Sequence, residues 1–418
     1  MTALLTAISM ADNVPELLCP AGDMERLEMA LCYGADAVYL SGSRFGMRAA
    51  SGFSEEALRR AATMCREKGV KLYAACNAVL HGQDVRALPP FLEFLQEVGV
   101  DAVIVADLGA LALAKKHAPR LQIHVSTQAG VTNDACARAF YDMGAARVIL
   151  ARELTLDEIA DIRANTPPDL ALEAFVHGSM CVSFSGRCLI SNYLTGRDAN
   201  QGACAQPCRW KYHLVEEKRP GELFEITEDN GTFILNSRDL CMIEHIPALL
   251  DAGLDSLKIE GRMKSAYYAA VVTNAYRHAL DAAVRGEAPE RLWLDEVQNV
   301  SHRPYETGFY FKADGPGQYY ENAMYFSDSD VVAVVESCDA SQNAVLTQRN
   351  RFFKGDTLEL LMPDVPPVSF VAEALYDTGG MELDATPHPM MVFTMRLPAV
   401  APRFAVIRKR RQKAPDGT

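Results

Sequence analysis

Short apolar segments alternate with amphipathic segments along most of the chain. Apolar runs of roughly 4–8 residues are typical of buried strands, and an apolar face that repeats every three to four residues is typical of a helix. The pattern predicts eight strands: Glu16–Leu18, Ala37–Leu40, Lys71–Asn77, Ala102–Asp107, Ile123–Gln128, Arg147–Arg152, Ala171–His177 and Ser256–Arg262. Because a helix-like segment follows each strand, we predict an α/β fold, a (β/α)8 barrel of the TIM type.

Local signals support helices between these strands. Ser54 stands as an N-cap before an amphipathic segment that ends at Lys68, and Thr155 stands as an N-cap near the start of Leu154–Ala164. The alternative architecture is an open, doubly wound parallel sheet. No G-x-G-x-x-G sequence follows the first strand, which disfavours that alternative.

The regular spacing of the strands is broken once, after the seventh. The gap from His177 to Ser256 is about twice as long as the others. The extra length, residues 178–238, predicts a cysteine-rich insertion at the C-terminal end of a barrel strand. That end of a TIM barrel is where catalytic residues gather.

The pattern changes after the eighth strand and its helix. Residues 286–328 are rich in proline, glycine and aromatic residues and predict a connector. Hydrophobic and polar residues then alternate in seven short segments, which predicts a small, closed antiparallel β-barrel. The predicted organisation is an N-terminal tail (1–14), the barrel (15–285), the connector (286–328), the C-terminal β-barrel (329–410) and a basic tail (411–418).

Composition indicates a globular protein with a sizeable core. Hydrophobic residues make up 49% of the 418 residues, and the formal net charge is -13. An acidic chain is not a typical nucleic-acid binder, although a local basic patch is sufficient for binding. No apolar run is long enough to span a bilayer and no basic segment opens the chain, so we expect a cytoplasmic protein that has no membrane partner.

A run of basic residues lies near the C-terminal end, at Arg408, Lys409, Arg410, Arg411 and Lys413. Such a run is either a solvated tail or a contact with RNA phosphates.

Four of the eleven cysteines, Cys181, Cys188, Cys204 and Cys208, are crowded into the predicted insertion. Zinc sites more often show C-x2-C pairs, and the C-x6-C and C-x3-C spacings here are looser. Four thiolates from one glycine-rich segment suit an iron–sulfur cluster. From spacing alone, a cluster, a zinc ion and a set of reduced thiols all remain open, with Cys241 as a substitute ligand.

The segment Glu173–Ser191, EAFVHGSMCVSFSGRCLIS, carries a motif that resembles the signature of the U32 peptidase family. Further segments extend the resemblance: PELLCPAG at 15–22, GADAVYL at 34–40, HVSTQAGVTN at 124–133, RDANQGACAQPCRWKY at 197–212, RPGE at 219–222, NSRDLC at 236–241 and SLKIEGRMKSAYY at 256–268. The resemblance covers residues 15–285 closely and the C-terminal domain more loosely.

Within that family, the chain is most similar to the branch of prephenate-dependent hydroxylases that make 5-hydroxyuridine at the wobble position of tRNA. The resemblance implies a [4Fe-4S] cluster with Cys181, Cys188, Cys204 and Cys208 as ligands. It also implies prephenate as co-substrate, the tRNA anticodon loop as substrate and a partner protein of the same family. Some hydroxylases of the family lack a counterpart of Cys208, so that ligand is the least secure.

Other functions remain as alternatives. The family name implies a collagenase-like peptidase, and His177 near Cys181 could imitate a Cys–His pair. The metalloprotease motif H-E-x-x-H is absent from the sequence. Hydroxylation of another RNA or of a quinone precursor, and an iron–sulfur scaffold without catalysis, are further alternatives.

Polar residues at the predicted strand ends are the candidate site residues. We expect arginine and lysine to bind a dicarboxylate, a histidine or carboxylate to act in proton transfer, and amides to orient a substrate. The catalytic candidates are His177, Glu260 and Asp107; the substrate-binding candidates are Arg44, Arg48, Asn77, Gln128, Arg152, Lys258 and Arg262, with Arg209 and Trp210 as a stacking platform.

Several of these residues also have structural interpretations. In that interpretation His177 is a structural histidine whose ring is hydrogen-bonded within the fold, and Trp210 anchors a loop. On one strand, Lys258, Glu260 and Arg262 would face the same side and form a salt-bridge layer inside the barrel.

Overall fold

The computed structural model describes residues 14–47, 52–210, 212, 214–215, 223–224, 236–311, 317 and 327–411. The strands are β1 Glu16–Pro20, β2 Ala37–Leu40, β3 Lys71–Cys76, β4 Ala102–Val105, β5 Gln122–Val125, β6 Arg147–Ile149, β7 Ala171–Ser179, β8 Leu214–Val215, β9 Leu223–Phe224, β10 Asp239–Cys241, β11 Ser256–Ile259, β12 Tyr305–Glu306, β13 Ser329–Cys338, β14 Asn343–Gln348, β15 Thr357–Leu361, β16 Val368–Val371, β17 Leu375–Asp377, β18 Glu382–Leu383, β19 Val392–Arg396 and β20 Val406–Arg410. The helices are α1 Met24–Cys32, α2 Glu55–Lys68, α3 Gly82–Val98, α4 Leu108–His117, α5 Asp134–Asp142, α6 Leu156–Ala164, α7 Ile190–Thr195, α8 Ile246–Asp251, α9 Ala266–Val284 and α10 Arg291–Glu296.

Eight parallel strands close into a barrel. Strands β1 to β7 pair in sequence order, and β11 pairs in parallel with both β7 and β1. This closure confirms the predicted (β/α)8 fold and rules out the open doubly wound sheet. The predicted caps are confirmed as well, since the Ser54 side chain accepts from Ala57 N and Thr155 forms a capping box with Glu158. No helix within the described residues has the length and apolar character that crossing a membrane requires.

Several strands end earlier than the pattern predicted, and the eighth matters most for the site. Strand β11 ends at Ile259, so Glu260 and Arg262 lie in the turn that follows it rather than on the strand. The pairing of β11 with β7 shifts register at this point, and Glu260 N donates to the His177 carbonyl at 2.8 Å. Gly261 is required in the turn, because a Cβ there would lie 2.4 Å from the Tyr268 ring.

The C-terminal domain is an antiparallel sheet curved into a half-barrel. It contains eight strands rather than the predicted seven, in the order β16-β15-β20-β13-β14-β19-β17-β18. The segment predicted as one strand at 369–377 is two, because β16 pairs with β15 whereas β17 pairs with β18 and β19. Across the fully described residues 327–411, β16 and β18 remain edge strands, so the ladder does not close.

Arg408, Lys409 and Arg410 of the basic run lie on β20, so these three residues are part of the sheet rather than of a solvated tail. A contact of the run with RNA phosphates stays a prediction. Arg408 is fully buried on β20, and its guanidinium donates to Glu296 at 2.7 Å and to Glu359 at 2.8 Å. Lys409 and Arg411 also pair with acids, at 2.7 Å and 2.6 Å. Lys413 lies outside the described residues. Because Arg408 also donates to the hydroxyl of Tyr267 on α9 of the barrel at 3.2 Å, it links the two domains.

Replacing Arg408 with alanine should therefore destabilise the protein strongly. The change leaves Glu296 buried without its partner, and breaking a buried ion pair in this way costs about 3–5 kcal/mol. Urea denaturation followed by fluorescence and circular dichroism measures the loss.

Arg410 is the matched control, since it lies on the same strand, pairs with Glu359 and is 64% exposed. Arg410→Ala should cost less than about 1 kcal/mol. Equal losses in the two variants would contradict the role of Arg408 as a buried link between the domains.

Candidate active site at the mouth of the barrel

A cavity of about 160 Å³ lies at the C-terminal ends of the barrel strands. Its floor is made by strand ends and the turns after them, and its cover is the segment 180–210, which we call the cysteine loop. The polar or reactive residues that line it are Tyr39, Asn77, Ser126, Thr127, Gln128, Arg152, Ser179, Cys181, Ser185, Cys188, Ser191, Cys204, Gln206, Cys208, Arg209, Lys258, Glu260 and Arg262. The predicted insertion therefore covers the face where TIM barrels carry their chemistry.

Glu153 fastens the first part of the cysteine loop to the barrel. Its carboxylate accepts from Ser185 N at 2.6 Å and from Ser185 Oγ at 2.7 Å. Ser185 has a left-handed backbone with φ of 44°, which is unfavourable for a residue other than glycine. Two charge-assisted hydrogen bonds to one carboxylate offset that strain and fix the loop beside Cys181.

Asn200 fastens the second part. Its side-chain amide exchanges two hydrogen bonds with the Cys188 backbone, at 3.2 Å and 3.0 Å, and its carbonyl accepts from Val79 N at 3.0 Å. Ser191 Oγ, within the loop, donates to the Arg197 carbonyl and accepts from Ala205 N. The loop is thus tied both to the barrel and to itself.

The four clustered cysteines all line this cavity. Cys181 is exposed, the other three are half-buried, and none is in a disulfide. Burial raises the pKa of the Cys208 thiol, and the neighbouring thiols of Cys181 and Cys204 raise it further. Gln206 N donates to Cys204 Sγ at 3.4 Å, which is the type of hydrogen bond that tunes a sulfur ligand.

The chemistry of this donor set fits an iron–sulfur cluster. Within the described residues, no three His, Cys, Asp or Glu side chains are close enough together to hold one metal ion. A cluster of several irons places its four thiolate ligands farther apart than the ligands of one ion. The thiols Cys181, Cys188, Cys204 and Cys208 around one cavity have the chemistry to hold it.

Cationic side chains approach the cavity from two strand ends and from the cysteine loop. Arg152 packs over the Phe175 ring at 3.8 Å and donates to the Ser179 carbonyl at 3.0 Å. Arg262 is 5% exposed, and Arg209 lies in the loop above it. These three arginines give the cavity a cationic wall.

Lys258 also lines the cavity, but a carboxylate beneath the cavity neutralises its positive charge. Its ammonium donates to Glu173 at 2.8 Å, and Arg147 donates to the other oxygen of the same carboxylate at 2.9 Å. Although burial raises the pKa of Glu173, Lys258 and Arg147 hold it below its usual range, so the carboxylate stays ionised. Lys258 is therefore part of a salt-bridge layer inside the barrel, formed with Glu173 and Arg147, which the predicted layer of Lys258, Glu260 and Arg262 did not include.

Glu260 faces the cavity beside Tyr39. The Tyr39 hydroxyl donates to Glu260 Oε2 at 2.9 Å. Of the three predicted catalytic residues, Glu260 alone lines the described cavity.

Asn77 and Gln128 present amides to the same space. Asn77 is fixed, since its Nδ2 donates to Ser126 Oγ at 3.2 Å and its Oδ1 accepts from Met47 N at 3.3 Å. Gln128 is 4% exposed, and neither polar atom of its side chain has a hydrogen-bond partner among the described residues.

His177 lies outside the cavity lining, despite its place at the end of β7. Its ring is 1% exposed among three tyrosines, with Nδ1 at 3.2 Å from the Tyr276 hydroxyl and Nε2 at 3.4 Å from the Tyr305 hydroxyl. Burial lowers the pKa of His177 to about 3. The geometry therefore supports its interpretation as a neutral structural histidine.

Four other candidates do not line this cavity, and Arg48 lies outside the described residues. Asp107 caps α4 by accepting from Ala110 N at 2.9 Å, and Arg44 is exposed beside Phe45. Cys241, on β10, lies opposite His177 of β7 in the antiparallel pairing of these strands. Trp210 is 44% exposed and lines a second cavity of about 320 Å³ with Arg197, Arg209 and Arg303.

Glu153 and Asn200 were not predicted, although both shape the site. Glu153 directly follows Arg152 at a strand end, so its position was a usable signal. Asn200 had no local signal, because its role depends on the fold bringing Cys188 and Val79 together.

Known protein families and curated proteins match most of this chain. The model of Peptidase family U32 matches residues 22–318, and that of the Peptidase family U32 C-terminal domain matches residues 327–408. The tRNA hydroxylation protein P1 of Bacillus subtilis is 35% identical over 395 residues, which cover 92% of each chain. The tRNA hydroxylation protein P of Escherichia coli is 35% identical over 418 residues, covering 89% of this chain and 91% of its own. An uncharacterized protease of Methanocaldococcus jannaschii is 45% identical over 303 residues, covering 71% of this chain and 73% of its own.

Replacing His177 with phenylalanine should reduce the loss of stability in acid. The unfolded chain binds a proton at this histidine from about pH 6.5 downward, whereas the folded state binds it only near pH 3. Stability from the neutral ring is thus complete above pH ~6.5 and is lost by up to about 1.4 kcal/mol per unit as pH falls toward 3. Urea unfolding at pH 7 and at pH 4.5 measures the difference.

His388 is exposed in the C-terminal domain and serves as the control. His388→Phe should keep the pH dependence of the wild type. An unchanged pH dependence in His177→Phe would show that His177 is not held neutral.

Proposed function

Since this chain belongs to peptidase family U32, we propose that it hydroxylates tRNA, converting the wobble uridine to 5-hydroxyuridine with prephenate as co-substrate and a [4Fe-4S] cluster as cofactor. The observation that carries the proposal is that four thiols, three arginines and an amide without a hydrogen-bond partner among the described residues line one cavity at the mouth of the barrel. Relatives that match almost the whole chain are named for tRNA hydroxylation.

Converting C5–H of a uridine to C5–OH is a two-electron oxidation at a carbon that is not acidic. When bound, a [4Fe-4S] cluster supplies the electron-transfer capacity that no protein side chain provides. Cys181, Cys188, Cys204 and Cys208 would hold it. Glu153 and Asn200 keep these thiols at the cavity by fixing the loop that carries them.

The cationic wall suits a small dicarboxylate. Arginine forks bind carboxylates through paired charge-assisted hydrogen bonds. Arg152, held by Phe175 and the Ser179 carbonyl, is pre-oriented for this task. Lys258 contributes less free charge, because Glu173 already accepts from it.

The rim of the site suits a flipped nucleotide. An enzyme that modifies a base must take it out of its stack and hold it in a pocket. Trp210 has an exposed ring next to Arg197 and Arg209. Any nucleic-acid base can stack on such an aromatic ring, so the stacking does not depend on the RNA sequence. We include a cytoplasmic location in the proposal, since reduced thiols persist there.

A peptidase is the weaker alternative. A cysteine nucleophile needs a histidine within hydrogen-bond reach. No histidine is among the residues that line the described cavity, and the hydrogen bonds of His177 go to tyrosines.

Protein purified without oxygen should contain roughly four irons per chain and absorb visible light broadly. Cys204→Ser should lower both signals, because it removes one of the four ligands. Iron analysis and the visible spectrum are the measurements.

Cys338, in the C-terminal domain, is the control, and Cys338→Ser should retain iron and colour. Colourless protein that contains zinc and no iron would contradict the cofactor assignment.

A strain that lacks the chain should lose the 5-hydroxyuridine-derived nucleosides of its tRNA. The wild-type chain should restore them, and Arg152→Met should restore roughly tenfold less under limiting expression, because a charge-assisted contact to a carboxylate is lost. Mass spectrometry of digested tRNA measures these levels.

Arg138, exposed on α5, is the control, and Arg138→Met should restore the wild-type level. Unchanged nucleosides in the deletion strain would refute the tRNA role. Cleavage of casein by metal-free protein that disappears in Cys181→Ala would instead support the peptidase.

A further inference from the structure

Gln128 is a buried amide with no partner in the described part of the chain. It is 4% exposed, and both Oε1 and Nε2 lack hydrogen bonds there. An unsatisfied buried polar group costs about 1–3 kcal/mol, and native folds rarely retain one without a reason. Because the side chain lines the cavity, the natural partner of this amide is a ligand.

Hydrogen bonds fix the backbone around Gln128, so its side-chain amide is held at the cavity. Ser126 Oγ accepts from Gln128 N at 3.3 Å, and Thr127 Oγ1 donates to the Leu150 carbonyl at 2.9 Å. Gly130 closes this short turn with a left-handed φ of 72°, and Phe184 of the cysteine loop packs against it. The turn that carries Gln128 thus touches the loop that carries the thiols.

A carboxamide presents one donor and one acceptor side by side. A carboxylate would satisfy the donor only, and the arginines on the other wall suit carboxylates better. A ligand edge with an adjacent acceptor and donor satisfies both atoms, and the hydrogen-bonding edge of a pyrimidine base has this arrangement.

We propose that Gln128 binds the Watson–Crick edge of the target pyrimidine and accepts either uracil or cytosine. The inference rests on the proposed function and deepens it. Uracil offers O4 as acceptor and N3–H as donor, whereas cytosine offers N3 as acceptor and an amino group as donor. A half-turn of the carboxamide exchanges its own donor and acceptor, and no described residue fixes its orientation. Gln128 therefore selects pyrimidine geometry, and the choice between the two bases lies elsewhere, in the RNA around the target.

Binding of anticodon stem-loop RNAs to the full-length, cluster-loaded protein tests the inference. Three RNAs carry uridine, cytidine or N3-methyluridine at the target position, and fluorescence anisotropy at one fixed salt concentration gives each Kd. Wild type should bind the uridine and cytidine RNAs within about threefold of each other, and N3-methylation should weaken binding roughly tenfold, as expected for a lost bidentate base contact.

Gln128→Met keeps the side-chain volume and removes both polar atoms. This variant should bind all three RNAs with about equal affinity, because no edge contact remains to be lost. Gln122→Met is the matched control, since Gln122 is exposed at the opposite end of β5. The control should behave as wild type does.

The N3-methyl penalty separates the outcomes. A penalty that persists in Gln128→Met, or a cytidine RNA bound more than about tenfold worse by wild type, overturns this inference alone. A protein that binds none of the three RNAs overturns the inference together with the proposed function.

Stability provides a second readout. Gln128→Met should melt at least as high as wild type, because it removes an unpaired buried amide. A melting temperature lowered by several degrees would show that the amide has a structural partner and would overturn the inference.

Discussion

A buried network of four charges holds the barrel together beneath the site. Arg147 on β6 binds both Glu16 on β1 and Glu173 on β7, and Lys258 on β11 binds Glu173 from the other side. The network contains two acids and two bases, so its formal charge is zero. Since removing one member would leave a buried charge without its partner, the four depend on one another. It joins β7 to β11 at the point where the barrel closes, and its Lys258 forms part of the cavity floor.

The direction of the cysteine loop follows from that closure. Gly178 has a left-handed φ of 110°, and a Cβ there would lie 2.3 Å from the Glu260 carbonyl oxygen, so β7 and the turn after β11 approach as only glycine permits. His177, next to Gly178, is buried and hydrogen-bonded to Tyr276 and Tyr305. The chain then leaves β7 over the barrel mouth, where Glu153 and Asn200 fix it. The histidine contributes to the site by holding the strand that delivers Cys181.

The barrel could be predicted from the sequence because its signal is local. Each apolar run and each helix cap can be recognised from adjacent residues alone. The insertion and the four clustered cysteines could also be recognised from the sequence, because the long gap between strands and the spacing of the cysteines do not depend on the three-dimensional structure. Strand ends were less certain, because the register shift at Ile259 depends on β7. The sequence offered a structural and a catalytic interpretation of His177 but could not decide between them, because the surrounding tyrosines are distant in sequence. The role of Arg408 could not be predicted, because Glu296 does not adjoin it in sequence.

Arg408 of the last strand is buried against Glu296, so this member of the basic run is not available to RNA phosphates. The net charge of -13 repels RNA over much of the surface. The cysteine loop, by contrast, exposes Arg187 and Arg197. An acidic protein with cations concentrated at one mouth orients a polyanion toward that mouth and away from the rest of the surface. Affinity from phosphates and reading of the base would then be divided between the loop that covers the cavity and the strand ends beneath it.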